Sequence, residues 1–210
     1  MSLINELINS GRLKTSELIK AFKTVERRDF LRPEDSGREE INAPLDIGYG
    51  QTISQPETVV FMLEKLQPES GEKILDVGCG SGWTTALLAE AVGDKGKVYA
   101  IERIPDLKKF AEANINKYDY IKNGTVYIIC SDGFYGLPEF SPFDKILVSA
   151  ASEEIPSELI KELKIGGRLV MPVGKKSVSQ SITAMDKISE AEFKKREYPG
   201  FIFVPLIKND

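Results

Sequence analysis

The sequence predicts an α/β fold, doubly wound: a mostly parallel sheet with helices on both faces, antiparallel strands at the C-terminal edge and an N-terminal helical cap. Three observations predict it. Between residues 73 and 174, short apolar runs alternate with helix-length segments, the pattern of successive βαβ units. The first of these runs ends in glycines and leads directly into a helix. Before residue 70 the apolar residues recur at helical spacing, and beyond 175 they fall in strand-length runs. A sheet of this kind is Rossmann-like.

The elements follow in order. Leu3, Ile4, Leu7 and Ile8 share one helical face, and Gly11 is a natural stop; Leu18, Ile19, Phe22 and Val25 repeat the pattern. Residues 33–44 are polar and broken, a loop. From Leu45 the chain passes through a glycine-rich turn into a third amphipathic helix ending near Leu66. KILDVG (73–78) is the first strand of the main sheet and TTALLAEAV the helix after it. KVYAIE, TVYIICSDG, FDKILVSAA and GGRLVMPVG supply four more strands, with helices in PDLKKFAEANINKY and IPSELIKEL. SQSITAMDK and AEFKKREYPGFIFVPL read as two or three antiparallel edge strands. No repeat or low-complexity linker interrupts the chain, so one domain is expected, divided at about residues 70 and 174.

Composition narrows the function. The 210 residues are 41% hydrophobic and 29% charged, too apolar for a disordered chain and long enough to bury a core without staples. A net charge of −4 gives no broad attraction for phosphate backbones, so no nucleic-acid partner is expected. Histidine is absent, which removes His–carboxylate triads, histidine metal sites and the usual neutral-pH base. The two cysteines, Cys79 and Cys130, cannot build a disulfide scaffold or a zinc site, and no metal is expected. No apolar run reaches the ~18 residues of a membrane span, and the N-terminus lacks a basic-then-apolar leader. A cytoplasmic chain without a membrane partner is expected.

The chemistry-bearing motif is Asp76-Val77-Gly78-Cys79-Gly80-Ser81-Gly82, between the first strand and its helix. Glycines let a backbone turn sharply and approach a ligand, and crevices at strand ends are where open α/β sheets bind ligands. The spacing is G-x-G-x-G, with Trp83 where a dinucleotide fingerprint has its third glycine, which weakens a nicotinamide reading. Glu102, followed by Arg103, closes the second strand about 20 residues on, where an acid accepts hydrogen bonds from a ribose diol. Asp132-Gly133 closes the third. Singly, each is also an ordinary turn or solvated strand end; their order along the βαβ series is what is specific.

LDVGCGSG, VYAIE and SDG together resemble the class I S-adenosylmethionine-dependent methyltransferases, over residues 72–174. The resemblance implies S-adenosyl-L-methionine as methyl donor, leaving S-adenosyl-L-homocysteine. It places the methionine part on Gly78, Cys79, Gly80, Ser81 and Gly82, the ribose on Glu102 beside Arg103, the adenine near Asp132 and Gly133, and Asp76 toward the amino group. A sharper match lies outside the loop. Residues 44–56 (PLDIGYGQTISQP), Pro142-Phe143-Asp144, residues 165–174 (IGGRLVMPVG), Phe203-Val204-Pro205-Leu206 and the Phe30–Pro33 run resemble the protein-L-isoaspartate O-methyltransferases over nearly the whole chain. That family repairs aged proteins by methylating the free α-carboxyl of L-isoaspartyl residues in proteins and peptides.

The resemblance implies Ser54 as the residue that hydrogen-bonds the acceptor carboxylate. Gln51, Thr52, Ile53, Ala150, Ala151, Val204, Pro205 and Leu206 would contact substrate. Residue types alone also make Ser54 the N-cap of a capping box with Glu57. Ser152-Glu153 departs from the family's usual Ala-Pro there, and Glu153 on its own reads as solvent-facing. Cys79 and Trp83 read as packing residues, Tyr49 as either site-lining or core-covering. Asn123-Gly124 and Asp132-Gly133 are succinimide-prone dipeptides and also ordinary turns. An ionised carboxylate acceptor, with a reference pKa near ~4, needs no base, which suits a histidine-free chain. A methyltransferase acting on RNA or a small molecule, and a cofactor-binding protein without turnover, are the alternatives. A monomer is expected.

Overall fold

Strand β3 (Lys73–Val77) is covered on both faces, which is why it reads as an unbroken apolar run rather than an alternation. Its alternate side chains serve two layers: Ile74 packs with the N-terminal helices, Leu75 and Val77 with the opposite core. The computed structural model describes residues 2–175 and 179–208 of the chain. Helix α4 (Trp83–Val92) is buried nearly all round because it lies between the sheet and α2 (Ser16–Thr24) of the N-terminal cap. The remaining elements of the main sheet are β4 (Lys97–Glu102), β5 (Val126–Cys130), β6 (Phe143–Val148), β7 (Leu163–Val173), β8 (Gln180–Lys187) and β9 (Phe193–Phe201), with α5 (Pro105–Ile115) and α6 (Ser157–Glu162) between them.

The seven strands lie in the order β5-β4-β3-β6-β7-β8-β9. From β5 to β7 neighbours are parallel; β8 and β9 join antiparallel at the far edge, as expected of the C-terminal runs. The chain runs outward from β3 through β4 and β5, then returns to start again at β6 on the other side of β3. That reversal opens a crevice beyond the carboxyl ends of β3 and β6, where the Ser149 N–H donates to the Val77 carbonyl (2.9 Å). Among the described residues no helix is long and apolar enough to cross a membrane.

Three features differ from the sequence reading. The glycine-rich turn before α3 (Pro56–Leu66) is a hairpin, β1 (Leu45–Gly48) and β2 (Gln51–Ile53), forming its own two-stranded sheet. Gly48, Tyr49 and Gly50 all have positive φ at its tip (91°, 57° and 69°), so the turn is tight, and the strands are too short for their alternation to be read. Second, β7 begins at Leu163, directly after α6, instead of at the glycine pair. Third, Ser54 does not cap α3. Gln55 is the N-cap, and its side chain accepts from the Thr58 hydroxyl (3.4 Å) but from no backbone N–H of the first turn. A first-turn donor is met instead from outside the helix: Asn42 Oδ1 accepts from the Glu57 N–H (3.1 Å) and Asn42 Nδ2 donates to Glu57 Oε2 (2.8 Å).

Candidate active site

The crevice is a cleft of about 730 Å³. Its cofactor-side wall is the turn from β3 into α4. Gly78, Gly80 and Gly82 have φ of 80°, 54° and 88°, values an L side chain adopts only with strain. Each glycine has a different neighbour. A Cβ at Gly78 meets no protein atom within 4 Å, so the space beside it is left for a ligand. One at Gly80 would lie 3.1 Å from Ile47 Cδ1, where the hairpin closes over the loop. One at Gly82 would lie 2.9 Å from Ile115 Cδ1 on α5, so this glycine lets α4 and α5 pack.

Glu102 ends β4 at the cleft wall, buried, and both its oxygens are already used: Oε2 accepts from the Gly80 N–H (3.0 Å) and Oε1 from the Ile104 N–H (2.9 Å). The carboxylate therefore fixes the glycine loop while keeping further lone pairs for a diol. Asp76 lies beneath the loop, fully buried. Its Oδ2 accepts from Thr85 Oγ1 (2.6 Å) and Thr84 Oγ1 (3.2 Å), and its Oδ1 has no partner. Burial pushes its pKa up to about 6 against those two hydrogen bonds, with the Glu102 charge adding to the rise. An unpartnered buried oxygen under the loop fits a donor arriving with the cofactor, directly or through water. Cys79 is buried, and burial raises its thiol well above its ordinary value.

The rest of the cleft lining comes from segments before and after the cofactor core. Gln51, Thr52, Ile53 and Ser54 face Val204, Pro205 and Leu206 across the cleft. The latter segment is held by Ala151, whose N–H donates to the Val204 carbonyl (2.8 Å) and whose carbonyl accepts from the Leu206 N–H (2.7 Å). Ala150, Gly78, Cys79, Gly80, Ser81, Glu102, Arg103 and Gly133 also line the cleft. Asp76, Gly82, Asp132 and Ala151 stand just behind the lining. Asp132 caps the short turn after β5, accepting from the Phe134 N–H (2.9 Å), because the Asp-Gly dipeptide starts a 3₁₀ helix there. Glu153 is exposed, as its own residue type suggested. Tyr49 neither lines the cleft nor covers the core: it is 61% exposed, and its hydroxyl donates to Asp106 Oδ2 (2.7 Å), bridging the hairpin tip to α5.

Trp83 packs edge-on to Phe22 of the N-terminal cap, with ring centroids 5.8 Å apart, and also lines the cleft. Three contributors were not legible beforehand. Ile47 covers the glycine loop, Phe203 lines the cleft, and Arg27 reaches Ser54 from below. Ile47 and Phe203 carried a signal, each lying inside a family-like run (44–56 and 203–206); Arg27 carried none.

A switch-point crevice with a three-glycine loop on its first strand and an acid closing its second defines the class: a Rossmann-like methyltransferase. Comparison with known proteins narrows it. The family model described as Protein-L-isoaspartate(D-aspartate) O-methyltransferase matches residues 1–210, and the chain belongs to that family. It is 41% identical over 207 residues to the Protein-L-isoaspartate O-methyltransferase of Aeropyrum pernix, covering 99% of this chain and 78% of that one. It is 42% identical over 206 residues to that of Pyrobaculum islandicum, covering 98% of each. A Plasmodium falciparum protein-L-isoaspartate O-methyltransferase, solved in complex with S-adenosyl-L-homocysteine, superimposes with a TM-score of 0.88 at 26% identity, over 99% of this chain and 97% of that one.

Proposed function

We propose that the cleft binds S-adenosyl-L-methionine on the Gly78–Gly82 side and an L-isoaspartyl residue against Ser54, each residue taking a distinct part. The chain is an S-adenosylmethionine-dependent carboxyl methyltransferase of the repair family. When bound, the cofactor supplies a methyl group on a positively charged sulfur, a strong electrophile. Gly78, Gly80 and Ser81 offer backbone to its methionine part, Asp76 a buried acceptor for its amino group, and Glu102 an acceptor for its ribose hydroxyls. Asp132 and Gly133, with Arg103, bound the adenine end. Ser54 hydrogen-bonds the substrate carboxylate; Gln51, Thr52 and Ile53 wall it on one side, and Ala150 and the Val204–Leu206 segment, braced by Ala151, receive the peptide.

One observation carries this reading. Among the described residues the acceptor wall bears hydroxyls, amides and apolar side chains but no titratable base, and those lining the cleft that carry charge are Glu102 and Arg103. Glu102 is engaged by two backbone N–H groups on the cofactor side. An amine or alcohol acceptor more often needs a base in reach; a carboxylate is ionised at neutral pH and needs only placement. What these residues contribute is alignment at a near-attack separation of ~3–3.5 Å and exclusion of water.

We further propose that the chain works as one unit, with residues 1–70 forming the cap and acceptor segment, 71–174 the cofactor core and 175–210 the β extension. In this reading it acts as a monomer in the cytoplasm without a nucleic-acid or membrane partner. The net charge of −4 offers neither polyanion an attractive field. Two peptides that differ only in L-isoaspartate versus L-aspartate test the function. Labelled methyl should enter the isoaspartyl peptide alone and leave as methanol on mild base treatment. Equal labelling of both, or of neither with cofactor binding intact, overturns the acceptor assignment.

A further inference from the structure

We propose that Arg27 is a positioning residue for methyl transfer: a single buried guanidinium that ties the acceptor-side Ser54 to the cofactor-side Trp83 and so sets the spacing of the two walls. The inference rests on the reading that Ser54 meets the acceptor carboxylate.

The geometry is specific. Arg27 sits in a short 3₁₀ turn of the N-terminal cap and is only 7% exposed. Its Nη1 donates to the carbonyls of Ile41 (2.7 Å) and Glu39 (3.3 Å), its Nη2 to those of Ala43 (2.8 Å) and Ser54 (3.3 Å). All four terminal N–H groups are thus placed, and only Nε is left without a partner. The guanidinium carbon lies 5.5 Å from the ring centroid of Trp83, the first residue of α4 and directly after the glycine loop. Burial lowers its pKa to about 10, which still leaves the group charged at neutral pH. Its charge is met by four carbonyl dipoles and an aromatic face.

The need for such a tie follows from the topology. Residues 51–53 form β2 and Ser54 follows it directly; among the described residues the β1–β2 hairpin has no ladder to the main sheet, so no strand register fixes its distance from the glycine loop. Side chains must do it. Ile47 over Gly80 and Tyr49 to Asp106 hold the tip; Arg27 holds the base, where Ser54 stands. It grips residues 39–43, which lead into β1, the Ser54 carbonyl, which leaves β2, and the Trp83 ring. A lysine cannot replace it: an ammonium is a compact point charge with three donors, without the planar fork that reaches four carbonyls while stacking. Methyl transfer is sensitive to such spacing, since a misplacement of ~1 Å can cost ~100-fold in rate.

The test compares Arg27→Lys, Arg27→Met and Ser54→Ala with the parent chain. The rate constant is expressed per cofactor-binding site, counted by calorimetric titration with S-adenosyl-L-homocysteine, so that unfolded protein does not enter. The expected result is a 10- to 100-fold fall in kcat for both Arg27 variants, with KM for the isoaspartyl peptide and for the cofactor each within about threefold. Because Trp83 is the one tryptophan in the chain, its fluorescence should also shift in both variants and in neither case be restored by saturating cofactor. If Arg27→Met does not fold, Arg27→Lys below its melting temperature carries the comparison. A parent-like kcat per site in Arg27→Lys, with Ser54→Ala impaired, overturns the role of Arg27 alone. A parent-like kcat in Ser54→Ala overturns the acceptor reading beneath it.

Discussion

Glu102→Gln separates two duties of one carboxylate. In the folded chain its oxygens accept from the Gly80 and Ile104 N–H groups at 3.0 and 2.9 Å. An amide keeps one acceptor and presents its NH₂ to the other donor, so one buried N–H loses its bond. Hydrogen bonds to charged acceptors contribute about 1.5–3 kcal/mol each. At about 2–4 °C per kcal/mol for a domain of this size, the melting temperature of the ligand-free chain should fall by about 3–12 °C. The second duty shows only on binding. A ribose hydroxyl that donates to the carboxylate loses a charge-assisted partner of similar strength, about 10- to 150-fold in Kd at 1.4 kcal/mol per factor of ten. Scanning calorimetry reads the first effect and titration with S-adenosyl-L-homocysteine the second. A lower melting temperature with Kd unchanged within twofold would refute the ribose contact and leave Glu102 a prop of the loop.

Other substitutions probe the acceptor side and the core. Ser54→Ala should lower kcat/KM for the isoaspartyl peptide by about 10- to 100-fold, one hydrogen bond to a charged group. It should leave both the melting temperature and S-adenosyl-L-homocysteine affinity near parental; a fall in melting temperature would mean that Ser54 is structural after all. Asn42→Ala should do the opposite, removing about 1 kcal/mol of capping from α3 and about 2–4 °C of thermal stability, as read by calorimetry. Glu162 is buried at the end of α6, accepts from the Leu137 N–H (2.9 Å), and burial pushes its pKa from 4.5 up to about 7. The folded chain then holds that proton more tightly than the unfolded chain, so stability is lost as pH rises from about 4.5 through about 7. The whole effect is at most about 3 kcal/mol. Glu162→Gln should flatten this part of the melting-temperature profile, and the difference between the two profiles isolates it from Asp76; parallel profiles would remove Glu162 as the cause.

What could be read from the sequence was what is local. The glycine loop, Glu102 and Asp132 each sit at the end of a strand that announces itself, and the βαβ order brings strand ends together without any knowledge of contacts. Ser54 was misread as a cap because the residue that caps, Asn42, lies fifteen positions before Glu57 and meets it only after the chain has folded back. The hairpin escaped notice because three residues of positive φ and two short strands leave no alternation. Arg27 carried no motif, and its burial depends on four carbonyls from segments up to 27 residues away. Contacts made at a distance in sequence leave no periodicity.

The Val204–Leu206 segment hangs from Ala151 by two backbone bonds and lines the cleft. In order of synthesis it comes after every strand of the sheet. A growing chain that has emerged as far as residue 174 already carries the whole glycine loop and the acids beside it, yet has only half of a wall on which to seat a peptide. In the proposed reading the residues that meet the peptide flank the cofactor core on both sides in sequence, and folding brings all three stretches to one cleft.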